Sequence, residues 1–137
     1  MGFGDSLRAR FPHPDFGKPG ILIYGHMDTV HHIGTLDVLQ FKLDGDLCYG
    51  PGIMDMKGGN YVSVEALRQL IMAGLQSPLP VTILFTPDEE VGTPSTRSLI
   101  EAEAERNKYV LVPEPAHSDA GATIGRYAIA RFNLHTV

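Results

Sequence analysis

The apolar positions of this chain gather in short unbroken runs rather than in strict alternation. Ile21, Leu22, Ile23 and Tyr24 form one run that stops at Gly25, and Pro80 to Phe85 forms a second. A strand with one wet face alternates, so unbroken runs of this kind suit strands covered on both faces. Tyr109 to Val112 predicts a third core strand. Between the runs the period changes. Val62, Val64, Ala66, Leu67, Leu70 and Ile71 mix helical spacings, which predicts a helix from Asn60 to about Ala73, closed by Gly74. Thr93-Pro94 places an N-cap residue before a proline at the first helical position, and Leu99, Ile100 and Ala102 give this second helix a buried face to about Arg106. Val38 to Leu43 and Leu47 to Tyr49, parted by Asp44-Gly45-Asp46, predict a β-hairpin. From Thr123 to Val137 the chain alternates, with Ala128, Ala130, Phe132 and Leu134 on one side, and this predicts an exposed strand with one apolar face. Strands and helices taking turns predict an α/β domain with a largely parallel sheet.

Composition narrows this picture. The 137 residues, 43% of them hydrophobic and without a low-complexity run, fit one globular domain with a modest core. The longest apolar stretch, Leu79 to Phe85, is broken by Pro80 and Thr82 and is far short of the roughly 20 residues of a membrane span. The first residues lack the apolar core and cleavage site of a signal peptide, which points to the cytoplasm. A net charge of -5 without a basic stripe argues against nucleic acid as a partner. Cys48 is the one cysteine, so an internal disulfide is excluded, and without a CxxC companion it reads as a packing residue.

The residues able to do chemistry sit just beyond the predicted core strands: Gly25-His26-Met27-Asp28, Pro87-Asp88-Glu89-Glu90 and Pro113-Glu114-Pro115. Ligands of open α/β sheets collect outside the carboxyl ends of the strands, so the three clusters are placed to converge. Asp55 adds a fourth acid inside the glycine-bracketed segment YGPGIMDMKGG, where the backbone can turn tightly beside a ligand. His26 and Asp28, two apart, leave an extended chain from the same face, and a carboxylate there can hold the second N–H of a metal-bound imidazole. Glu89 and Glu90 are adjacent and point opposite ways, which suits one to ligation and the other to proton transfer. Prolines on both sides fix the direction of Glu114. Each of these residues has an ordinary structural reading when taken singly: a satisfied core histidine, a solvated acidic turn before a helix, a strand-ending turn, an Asx turn. Their joint arrangement is harder to explain that way.

In order, GHMDTV at 25–30, YGPGIMDMKGG at 49–59, FTPDEEVGTPSTRSLI at 85–100 and VPEPA at 112–116 closely resemble the zinc carboxypeptidases of the glutamate carboxypeptidase group. Acetylornithine deacetylase, succinyl-diaminopimelate desuccinylase and aminoacylase belong to the same family, and the resemblance covers residues 20–137. It implies a three-layer α/β/α sandwich on a mostly parallel mixed sheet, present here as an incomplete catalytic domain over residues 1–122. Residues 123–137 would be the first strand of a lid or dimerisation domain, whose open edge would favour self-association. It further implies that His26 and Glu114 are terminal ligands of one zinc, that Asp55 bridges two zincs and that Glu90 holds the second. Asp28 would orient His26, Glu89 would be the general base, and the Asp55–Met56 peptide would be cis. The implied activity is hydrolysis of an amide bond next to a free carboxylate in a small peptide or N-acyl amino acid, nearest to release of a C-terminal glutamate. Deacetylation or desuccinylation, or a truncated product that binds metal without turnover, are the alternatives. The family's remaining ligand of the second zinc is a histidine beyond the lid. His117 and His135 do not match its motif, so at most one zinc is expected to be held well.

Overall fold

The computed structural model describes residues 2–116, 121–125, 127 and 134–135. Its main sheet has four strands in the order β1-β5-β2-β6: β1 Leu7–Arg10, β2 Ile21–His26, β5 Val81–Thr86 and β6 Tyr109–Leu111. The intervening β3 (Lys42–Asp44) and β4 (Leu47–Tyr49) form a separate hairpin. Strands β5, β2 and β6 run parallel, with Ile21 level with Val81 on one side and Tyr109 on the other, while β1 lies antiparallel along β5. The sheet is therefore mixed and mostly parallel.

The unbroken apolar runs are explained by helices on both faces. Alternation within β2 and β5 sends Leu22, Tyr24 and Leu84 to one face, where Leu99, Ile100 and Ala104 of helix α2 (Arg97–Glu105) pack on them. Ile23, Val81 and Ile83 point the other way and meet Leu67 of helix α1 (Gly58–Met72) together with Ala9 and Phe11. Leu22 and Leu84 are fully buried, and each stabilises the fold by roughly 2 kcal/mol through apolar burial.

Several local expectations shift. Helix α1 starts at Gly58 rather than Asn60, and Gly74 follows it with φ +66°, the left-handed value that ends a helix. Val62, Val64 and Ile71 are exposed, because only one side of α1 meets the sheet. Helix α2 begins at Arg97, not at Thr93-Pro94. Thr93 has φ +55° and closes a turn, its N–H donating to the carbonyl of Asp88 at 2.8 Å. The hairpin is shorter than expected, since residues 38–41 are not strand and Thr35–Asp37 form a short 3-10 turn before them. The strand expected from Thr123 to Val137 lies largely outside the described residues, and with it any self-association through its edge.

Strand β1, where the sequence pattern predicts no element, is held by charge. The Glu103 carboxylate of α2, 2% exposed, accepts from Arg8 at 2.6 Å, Arg10 at 3.0 Å and Arg106 at 3.4 Å. The arginines keep contact with water, so Glu103→Gln leaves no stranded cation. It should lower stability by about 1–2 kcal/mol, read as an earlier midpoint in urea; an unchanged midpoint would show that β1 is held by its sheet hydrogen bonds alone.

Candidate metal centre

Strand direction brings the chemistry together. His26 ends β2, Asp88, Glu89 and Glu90 follow β5, and Glu114 follows β6, so the parallel strands deliver all three clusters to one end of the sheet. Asp55 arrives from the opposite direction, in the irregular turn Ile53–Lys57 that enters α1. There Asp55 has extended backbone angles (φ -119°, ψ 102°), and the Asp55–Met56 peptide is cis. Met56 is buried beneath the turn, its sulfur accepting from the His26 N–H at 3.3 Å.

His26 is 1% exposed and lies at the centre of the cluster. Its Nε2 is 3.0 Å from Asp55 Oδ1, 3.5 Å from Glu114 Oε1 and 3.9 Å from Glu89 Oε2. On the other side of the ring, Nδ1 faces the Asp28 carbonyl at 3.0 Å and Asp28 Oδ1 at 3.3 Å. Acceptors thus face both ring nitrogens, and a cation at Nε2 would leave the ring proton on Nδ1, facing the Asp28 carbonyl. The Asp28 carboxylate has a second task that its spacing from His26 did not announce. Its two oxygens accept from the backbone N–H groups of Glu89, at 3.2 Å, and Glu90, at 2.9 Å. One side chain thus ties the end of β2 to the loop that follows β5.

Asn60, in the first turn of α1, donates from its side-chain amide to the His26 carbonyl at 2.7 Å. Gly25 permits this: a Cβ there would stand 2.1 Å from Asn60 Oδ1. The sequence gives no sign of this contact, because the asparagine meets the histidine only through the packing of α1 beside β2. His31 and His32 are exposed in the loop after β2, and His13 bonds to the Ser77 carbonyl at 3.0 Å.

The acids shift one another's titration around His26. Burial raises the Glu89 carboxyl above its ordinary range, as do the nearby charges of Glu90, Asp28 and Asp55, with His26 opposing. Burial also raises Glu114, and Asp55 adds to it. Burial pulls His26 down, yet the Asp28 carbonyl and the charges of Glu114, Glu89 and Asp28 leave it above its usual value. Two sets of possible ligand atoms fall within 4.8 Å of one another, His26 with Asp55 and Glu90, and His26 with Glu89 and Glu114. Glu90 Oε1 is buried with no hydrogen-bond partner.

Comparison with known proteins places these features in a family context. Residues 22–135 match the profile of Peptidase family M20/M25/M40. Carboxypeptidase G2 of Pseudomonas sp. (strain RS-16) is 41% identical over 115 residues, which are 83% of this chain and 28% of that protein. Acetylornithine deacetylase of Buchnera aphidicola subsp. Schizaphis graminum is 31% identical over 102 residues, 72% of this chain and 26% of the relative. Human carnosine dipeptidase 1 shares the fold with a TM-score of 0.67 at 17% identity, over 82% of this chain and 26% of that one. The chain spans about a quarter of the length of the relatives it matches.

Proposed function

Because this chain belongs to Peptidase family M20/M25/M40, we propose that it carries the greater part of a two-zinc hydrolase site. In this reading His26, Asp55 and Glu114 would hold one zinc, and Asp55 with Glu90 would hold a second. Glu89 is the general base and Asp28 the residue that orients His26. The observation that carries the reading is Glu90 Oε1, a buried oxygen without a hydrogen-bond partner on a carboxylate that offers a ligand atom within 4.8 Å of those of His26 and Asp55. A buried polar atom is normally satisfied, and a carboxylate lacking any donor among like charges fits a cation. The donor set agrees, since imidazole nitrogen and carboxylate oxygen are both zinc ligands.

Bound zinc would supply Lewis acidity to the scissile carbonyl and to water. The protein's own residues do the rest. Glu89, with its carboxyl raised by burial, is able to take a proton from water and pass it to the leaving amine, as general acid–base catalysis requires. Asp28 keeps the His26 proton on Nδ1 and holds the Glu89 and Glu90 backbone in register with it. The substrate class is a small peptide or N-acyl amino acid cleaved at an amide beside a free carboxylate. The likeness to carboxypeptidase G2 favours the peptide, and the resemblance of the four motifs to the glutamate carboxypeptidases favours a C-terminal glutamate as the released residue. The likeness to acetylornithine deacetylase supports the N-acyl alternative. The chain's setting is the cytoplasm; among the described residues no helix is long and apolar enough to cross a membrane.

Among the described residues, His26 is the histidine shared by both ligand sets. A second zinc would thus have only Asp55 and Glu90, fewer than the three protein ligands usual at a catalytic site. Calorimetric titration of the chain with zinc should show one tight equivalent, and two tight equivalents would contradict this division. Hydrolysis of a glutamate-terminated or N-acyl substrate by the zinc-loaded chain, lost on Glu89→Ala, would identify a catalyst. Zinc binding without turnover would identify a metal-binding domain.

A further inference from the structure

We infer that Asp88, a residue that neither the ligand set nor the proton transfer uses, is the positioning residue for the Glu89–Glu90 pair. The inference rests on the metal-centre reading for the roles of those two glutamates, but its geometry stands apart. Asp88 is 0% exposed and lies two residues beyond the end of β5. A carboxylate buried this deeply needs compensation at both oxygens. Oδ1 accepts from the Thr96 hydroxyl, and Oδ2 accepts from the Ser95 N–H and the Ser95 hydroxyl, each at 2.7 Å. The Asp88 carbonyl takes the Thr93 N–H at 2.8 Å, and the Glu89 carbonyl takes the Gly92 N–H at the same distance.

These bonds close residues 88–96 into a ring between β5 and α2. Thr96 is the N-cap residue of α2; its hydroxyl makes no capping bond and donates to Asp88. The helix start is thereby fastened to the strand end through one carboxylate, with Glu89 and Glu90 on the strand side of the ring. Their N–H groups then reach the Asp28 carboxylate, so the two ends of the pair are fixed independently: Asp88 holds the loop and Asp28 holds the backbone against His26.

Asp88→Asn keeps the size of the side chain but turns one acceptor oxygen into a donor NH2 group, which cannot receive the two Ser95 donors. The test uses two readouts on the folded chain, with Glu103→Gln as a control that loosens α2 at its other end. The first, amide hydrogen exchange at Glu89 and Glu90 in the metal-free protein, needs no bound ion. Asp88→Asn should speed it at least about tenfold and Glu103→Gln should leave it as in wild type. The second is cobalt(II) binding, followed by its visible d–d bands. Asp88→Asn should weaken it about 10- to 100-fold and change the band shape, as the loss of a ligand's supporting contact does. Thr96→Val, which removes one donor without a change of size, should give smaller effects of the same sign and replaces the first variant should that fail to fold. Exchange at Glu89 and Glu90 that is unmoved in the variants, or moved equally by Glu103→Gln, would overturn the inference. A wild-type chain that binds no cobalt would defeat the metal-centre reading instead, while the exchange comparison would still decide the role of Asp88.

Discussion

Replacing His26 with alanine is expected to lower the zinc affinity of this chain by at least about 100-fold, equivalent to ~2.7 kcal/mol. The size follows from its central position. Its Nε2 faces Asp55, Glu114 and Glu89 within 3.9 Å, and the residue is common to both possible ligand sets. Without the imidazole, the carboxylates of Asp55, Glu89 and Glu114 face one another with no nitrogen donor among them, and each is exposed enough for water to compete. Competition with a chromophoric chelator would measure the loss, and affinity retained within a few-fold would remove His26 from the ligand set. Asp28→Asn should have a milder effect, because the nearer acceptor at Nδ1 is the Asp28 main-chain carbonyl, which that change retains.

Gly59→Ala is expected to destabilise the fold by at least about 3 kcal/mol, at the upper end for an overpacked site. A Cβ at this position would sit 1.8 Å from the carbonyl oxygen of Pro113 and 2.9 Å from its carbonyl carbon. Both are backbone atoms, so no side chain can swing away, and either the start of α1 or the residue before Glu114 must move. Metal affinity should therefore fall together with the melting temperature. Gly74→Ala provides the contrast. Its φ of +66° disfavours alanine, but the space around it is open, and the cost should be about 1 kcal/mol with metal binding untouched. Equal melting temperatures for the two variants would mean that α1 and Pro113 separate more easily than this contact implies.

What could be read from the sequence was whatever local composition decides. β2 and β5 are legible because helices cover both faces, which makes nearly every residue apolar, and the acids stand out because they interrupt those runs at the carboxyl ends. Sheet order does the remaining work of bringing them together, and a parallel arrangement was the one tertiary assumption needed. Strand β1 was not legible, since Leu-Arg-Ala-Arg resembles a solvated segment until Glu103 is known to lie beneath it. The start of α2 was misplaced for a related reason. Thr93-Pro94 has the composition of a helix start, but the bonds that set the boundary come from Asp88, and a buried acceptor outside the helix leaves no periodic trace. The paired grip of Asp28 on the Glu89 and Glu90 backbone was invisible likewise, because main-chain donors carry no sequence signature.

The sheet order has one further consequence. β2 and β5 each have a neighbour on both sides, whereas among the described residues β6 ends the order, and its three residues are all exposed. Of the proposed ligands and base, His26, Glu89 and Glu90 are carried by the inner strands, and Glu114 by the segment after the edge strand. Edge strands open at lower free energy than the strands they flank. The site is thus built across a gradient of local stability, and a brief fraying of β6 would withdraw Glu114 while the other groups stay in place. A cation bound only by the closed arrangement would oppose that fraying by mass action, acting as a clasp on the least secure strand of the sheet.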